Sequence, residues 1–179
     1  MIKLSILSIV IICCASCVDF SKKNQLSELS HLSQRVDSIQ IVFEELKKDT
    51  LSEIIYAINQ TSDVIKSKIG DDTLSLDIAK KIDLYRKTYR KLTSIEAYDE
   101  KFLFGSQAIK NSIENLTKDI QKGNGDRDKY EQNISFEKNK VQELETLLSN
   151  VKKLQKEGIE SFLKIHPAIK TFADKLSIK

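Results

Sequence analysis

The sequence predicts an all-α fold, an antiparallel helical bundle of five to six helices joined by short loops. Three observations carry this expectation. The chain holds one proline and five glycines in 179 residues, so few positions interrupt a helix. Charged residues make up 31% of it, at helical intervals between apolar ones. The apolar residues themselves recur at three- and four-residue spacing, with no segment of strict strand-like alternation.

The first element stands apart from the fold. Met1-Ile2-Lys3 gives a short basic start, and Leu4 to Cys14 is apolar apart from Ser5 and Ser8. That stretch is too short for a membrane span, which needs about 20 apolar residues, and has the length and flanks of a secretory signal. It closes on Cys14-Ala15-Ser16-Cys17, small residues ending on a cysteine, as in a bacterial lipoprotein signal. Cys14 stands where such signals usually carry Leu, and Ser16 where they carry Gly or Ala. The expected organisation is a signal peptide over residues 1–16, a lipidated tether over 17–24 and a single helical-bundle domain over 25–179. Cleavage before Cys17 removes Cys13 and Cys14, and the lipid thioether occupies Cys17. No thiol then remains for a disulfide, a nucleophile or a metal. The domain must be stabilised by packing alone, which this length permits. Two or three acyl chains, palmitate among them, make the lipid bilayer a stable partner through acylated Cys17 without any spanning helix.

In the body, Leu29, Leu32, Val36, Ile39, Phe43 and Leu46 form a heptad-like seam and predict a first helix over 24–48. Thr50-Leu51-Ser52-Glu53 has the form of a capping box. Ile54, Ile55, Ile58, Ile65 and Ile69 give the second helix, over 51–69, its apolar face, with Gly70 as its stop. After the turn Gly70-Asp71-Asp72-Thr73, Ile78, Ile82, Tyr85, Tyr89 and Leu92 mark a third helix over 75–99. Phe102-Leu103-Phe104-Gly105 breaks the periodicity and reads as a corner buried at the end of the bundle, the other option being an exposed anchor for a partner. Ile109, Ile113, Leu116 and Ile120 define a fourth helix over 106–122, ended by the loop Gly123-Asn124-Gly125. Asp126 opens a fifth helix to 157, with Tyr130, Ile134, Val141, Leu144, Leu148 and Val151 inward and Glu137 in the place of an apolar residue. Gly158 should end it. A last piece over 159–177 is divided at His166-Pro167, because the residue before proline avoids the helical region.

Little here points to catalysis. The two histidines, His31 and His166, lie far apart in sequence and fit an exposed helix residue and a turn residue. No zinc-binding spacing, nucleophile elbow or phosphate-binding loop occurs, so the chain is expected to be no enzyme and to carry no metal and no cofactor. A net charge of +3 argues against a nucleic-acid partner. Two features suit binding: the corner Phe102-Leu103-Phe104, if exposed, and the basic set Lys80, Lys81, Arg86, Lys87, Arg90 and Lys91 on the third helix, with Asp83 as the one acid among them. With Ile78, Ile82, Tyr85 and Tyr89 inward and about 100° per residue, Arg86 and Arg90 flank the core while Lys80, Lys87 and Lys91 lie opposite. The set Lys80, Arg86, Lys87, Arg90 and Lys91 is the candidate anionic-ligand site, facing sulfated glycans, anionic headgroups or an acidic protein; the other reading is a solvated helix face neutralised by acids of neighbouring helices.

The signal Met1–Cys17 with Ser16 before the cysteine, the short tether Val18–Asn24 and the Trp-free, Lys/Ile/Ser-rich helical body resemble the outer-surface lipoproteins of borrelial spirochaetes. The resemblance implies a surface antigen on the cell outer membrane that binds a host macromolecule: a complement regulator, plasminogen, or a matrix protein or sulfated glycan. Val18 after Cys17 leaves out the acidic inner-membrane retention signal of enteric lipoproteins. The expected function is thus that of a non-catalytic, membrane-anchored surface lipoprotein in host interaction. The alternative is a periplasm-facing structural or assembly lipoprotein whose seam Leu29 to Leu46 pairs with another helical subunit.

Overall fold

A computed structural model of the chain describes residues 2–46, 50–69 and 74–178, and side chains from residue 20 onward within them. The Gly70 stop, the Asp71-Asp72 turn, the end of the first helix at Lys48 and the Cys17 side chain lie outside the described residues.

The described residues are all-helical, with no strand among them. They form α1 (Ile2–Leu46), α2 (Thr50–Lys68), α3 (Leu76–Thr93), α4 (Ala97–Lys122) and α5 (Tyr130–Ile178), with a 3-10 turn at Arg127–Lys129. Three are long, at 45, 26 and 49 residues for α1, α4 and α5. Residues 18–24 continue α1 as helix.

Several boundaries differ from the sequence expectation. The break between α3 and α4 falls at residues 94–96, not at Phe102–Gly105. There the Thr93 hydroxyl donates to Tyr89 O at 3.0 Å and Ser94 Oγ to Lys91 O at 2.7 Å. Such back-bonding competes with helix propagation, and the backbone tightens into i→i+3 bonds from Ile95 to Leu92 O and onward. The corner itself is helix. Phe102 is buried and stacks on Phe43 with centroids 3.9 Å apart, while Leu103 and Phe104 face outward, Phe104 at 74% exposure. The expected burial therefore holds for Phe102 alone.

The second correction concerns α5. It passes through both Gly158 and Pro167 as one helix. Its buried stripe keeps to one face on both sides of Gly158: Leu148 and Val151, then, after the half-buried Leu154 and Gln155, Gly158, Phe162, Ile165, Ile169, Ala173 and Leu176 at three-four spacing. Gly158 is a close-packing residue, since a Cβ there would sit 2.3 Å from Leu92 Cδ2. Pro167 lies on the exposed face, where water can satisfy the Leu163 carbonyl that loses its amide partner. His166 is accordingly a helix residue and not a turn. At the other end, Asp126 caps the 3-10 turn and α5 opens at Tyr130. Gly123 and Gly125 hold positive φ of 68° and 84° in the preceding loop, a conformation glycine adopts freely. Tyr130 closes that loop by donating to Asp119 O and Asn124 O.

The residues pack as two compact units, Met1–Gln40 with Phe104–Glu145, and Ile41–Leu103 with Thr146–Lys179. In the first, α1 and α4 are antiparallel, tied by Lys22 to Gln121 O and Asp37 to Lys110. Here α5 runs parallel to α1, with ion pairs Glu28–Lys138 and Arg35–Glu145, the latter bidentate at 2.8 Å. The core is Leu29, Leu32, Val36 and Ile39 against Ile109, Ile113 and Leu116 of α4 and Ile134, Val141 and Leu144 of α5. Glu137 is buried among them. Its Oε1 accepts from Ser112 Oγ at 2.7 Å and Lys140 Nζ at 3.1 Å, and its buried Oε2 has no partner among the described residues.

In the second unit α3 lies antiparallel to α5. Tyr85 meets His166, Thr88 meets Ser161 at 2.7 Å and Lys91 meets Glu157 at 2.7 Å. Leu51, Ile54, Ile58 and Ile65 bring α2 to the same core.

Candidate functional site

Within the second unit, α2 and α3 face each other across an open groove of about 240 Å³. From α2 it is lined by Asn59, Ser62, Ile65 and Lys66, and from α3 by Ile82, Tyr85, Arg86, Tyr89 and Arg90. The helical period explains the set. Ile65, Ile82 and Tyr85 are buried at the helix contact, and the residues one step around each helix from that contact form the walls. Ser75 fixes the start of α3 by accepting from Ile78 N at 3.4 Å.

The floor is rigid. Tyr85 is buried, and its hydroxyl meets His166 Nδ1 at 2.6 Å. Burial pushes the Tyr85 phenol up to about 12, opposed by a hydrogen bond with Thr61. The phenol therefore keeps its proton at neutral pH, and which of the pair donates follows from the imidazole tautomer. The His166 ring stacks on Phe162 with centroids 4.4 Å apart. Burial, and then the charge of Lys170, hold His166 below its ordinary range, so it too is neutral.

The charge is one-sided. Lys66, Arg86 and Arg90 line the groove, and no carboxylate of the described residues does. Neither arginine has an ion pair among the described residues, whereas other cations of α3 do. Lys81 pairs with Asp77 at 2.7 Å, Lys87 with Asp83 at 2.8 Å and Lys91 with Glu157. Lys66 has only an exposed contact with Asp63 at 3.5 Å. The hydrogen bond from Lys87, with the charges of Lys87, Arg90 and Arg86, holds Asp83 below the usual carboxylate range.

The structure thus divides the basic set read from the sequence. Arg86 and Arg90 lie in the groove; Lys87 is neutralised one turn from Asp83; Lys91 turns toward α5; Lys80 is exposed and outside the groove. The arginine pair was legible as an unbalanced charge on α3. Lys66, Asn59 and Ser62 were not, because only the packing of α2 brings them there. The other singled-out residues stay apart: His31 is exposed on α1, and the Cys17 backbone lies within α1.

Among the described residues no helix is long and apolar enough to cross a membrane, and no group of three His, Cys, Asp or Glu side chains is placed to hold a metal ion. Comparison of the chain with models of protein families, with curated proteins and with solved structures finds no match.

Proposed function

We propose that this chain is a non-catalytic lipoprotein, anchored through acylated Cys17 in an outer membrane and displayed on the cell surface, whose α2–α3 groove captures an anionic macromolecule of a host. The observation that carries the binding half is the pair Arg86 and Arg90, without an ion pair beside Lys66 in a concave site that no carboxylate of the described residues lines. Guanidinium groups in a groove and without an ion-pair partner attract and orient an anion better than the same charges on a convex face. The anchor and the address rest on the signal ending at Cys17 and on the borrelial resemblance. The scaffold is an antiparallel bundle of five to six helices; the antiparallel pairs α1–α4 and α3–α5 support it. The resemblance suggests a complement regulator, plasminogen, or a matrix protein or glycan as the captured macromolecule. The periplasmic assembly alternative rested on the seam of α1, and Leu29, Leu32, Val36, Ile39 and Phe43 are buried within this chain, so that reading loses its supporting feature.

Two measurements test the proposal. Protease added to intact cells should remove the chain; resistance until the outer membrane is opened refutes surface display. The full-length protein in detergent should be retained on immobilised heparin, less strongly as salt screens the charges. Retention should be lost in Arg86→Glu/Arg90→Glu but kept in Lys80→Glu/Lys87→Glu, which changes net charge equally outside the groove. Equal loss in both pairs makes the binding a matter of net charge and refutes the groove.

A further inference from the structure

We infer that the groove takes a sulfate or phosphate monoester carried on a single sugar-like ring, and does not take acidic side chains. This deepens, and rests on, the reading of the groove as an anion site.

The first argument counts donors. Arg86 and Arg90 stand four residues apart on α3, so their stems are neighbours about 5–6 Å apart. Each guanidinium presents a fork of N–H groups, Lys66 adds an ammonium, and Ser62 and Asn59 add neutral donors. A carboxylate has two oxygens, which one fork engages side by side. A monoester offers three terminal oxygens and can engage both forks together with the ammonium. Donors from two helices lining one small volume therefore suit the three oxygens of a tetrahedral oxyanion better than the two of a carboxylate.

The second argument concerns the walls. Ile65, Ile82 and the rings of Tyr85 and Tyr89 make the groove apolar between its charges. The Tyr85 hydroxyl is already engaged by His166, so this ring offers a face and not a polar tip. A glutamate side chain would leave these faces wet, whereas a pyranose or cyclitol ring covers them with its C–H face while its ester reaches the arginines. The third argument is size. About 240 Å³ lies below the 300–1,000 Å³ of sites for drug-sized ligands. It admits one substituted ring and excludes a protein loop of several residues.

Calorimetric titration of the full-length protein in detergent tests this with three probes: a sulfated disaccharide, an inositol phosphate and an oligoglutamate. The two esters should bind and compete with each other, and the oligoglutamate should not displace them. Whichever ester binds more tightly distinguishes a sulfated glycan from a phosphorylated headgroup as the source. Arg86→Lys/Arg90→Lys, which keeps the charge and removes the forks, should weaken ester binding on the order of tenfold. Both side chains are exposed and unpaired, and an unchanged melting temperature verifies the fold of the variant. If the oligoglutamate binds as well as the esters, or the lysine variant binds esters like the wild type, the ester assignment is overturned while the anion site stands. If no probe binds, or Arg86→Glu/Arg90→Glu binds every probe unchanged, both fail together.

Discussion

Gly158 and Gly105 both sit inside long helices, and replacing each with alanine should move stability in opposite directions. In an open helical position alanine is favoured over glycine by about 1 kcal/mol. At Gly105 nothing lies within 4 Å of the added Cβ, so Gly105→Ala should gain most of that amount. At Gly158 the Cβ would meet Leu92 Cδ2 at 2.3 Å and Cγ at 2.9 Å. Leu92 is wholly buried, so its side chain has no open space to enter and must leave its rotamer or push α3 from α5. Overpacking of this kind costs about 1–3 kcal/mol, which leaves Gly158→Ala net destabilising by about 0–2 kcal/mol after the helical gain. The two variants should therefore differ by about 1–3 kcal/mol in urea unfolding followed by circular dichroism. Shortening the obstructing side chain provides an internal check. Leu92→Ala alone should cost about 2–5 kcal/mol, and combined with Gly158→Ala it should cost less than the sum, because the methyl then fills space that the leucine vacated. Stabilisation by Gly158→Ala equal to that by Gly105→Ala refutes the close approach of α3 to α5.

Other expectations follow from the buried polar groups and the anchor. Glu137→Leu should be neutral to stabilising by about 1–4 kcal/mol in the same unfolding assay, because it removes a buried carboxylate with one unpartnered oxygen while Lys140 keeps access to water; marked destabilisation refutes this. His166 is held below its ordinary 6.5 in the folded state, so the unfolded chain binds more protons once pH falls below that value. Stability should decline from about pH 6.5 downward until the folded His166 also protonates. The decline should be shallower in His166→Gln, and an identical pH profile for the two proteins contradicts the burial of His166. Cys17→Ala should abolish incorporation of labelled palmitate and move the protein out of the membrane fraction; continued fractionation with membranes contradicts lipid anchoring.

How far the sequence could be read depends on what each residue must do. The α1 seam from Leu29 to Phe43 was legible because every inward position is apolar and each is buried. The start of α4 was not, since buried Ser106 stands in the stripe between Phe102 and Ile109 and hides its continuity. Gly158 looked like a stop because glycine favours helix ends, and only the position of Leu92 gives it another reason to be there. Glu137 was visible as a charge in an apolar register, but its acceptance from Ser112 comes from the pairing of α4 with α5. The groove divides in the same way. Arg86 and Arg90 follow from α3 alone, whereas their lack of an ion pair among the described residues and their meeting with Lys66 are properties of tertiary packing.

The most direct test of the central claim is amide chemical-shift mapping of the protein in detergent as a sulfated disaccharide is added. The account predicts saturable shifts confined to the lining of the groove, over residues 59–66 of α2 and 82–90 of α3, and their disappearance in Arg86→Glu/Arg90→Glu. Shifts that centre on Lys80 and Lys87, or that spread over all basic surfaces and persist in the variant, would contradict it.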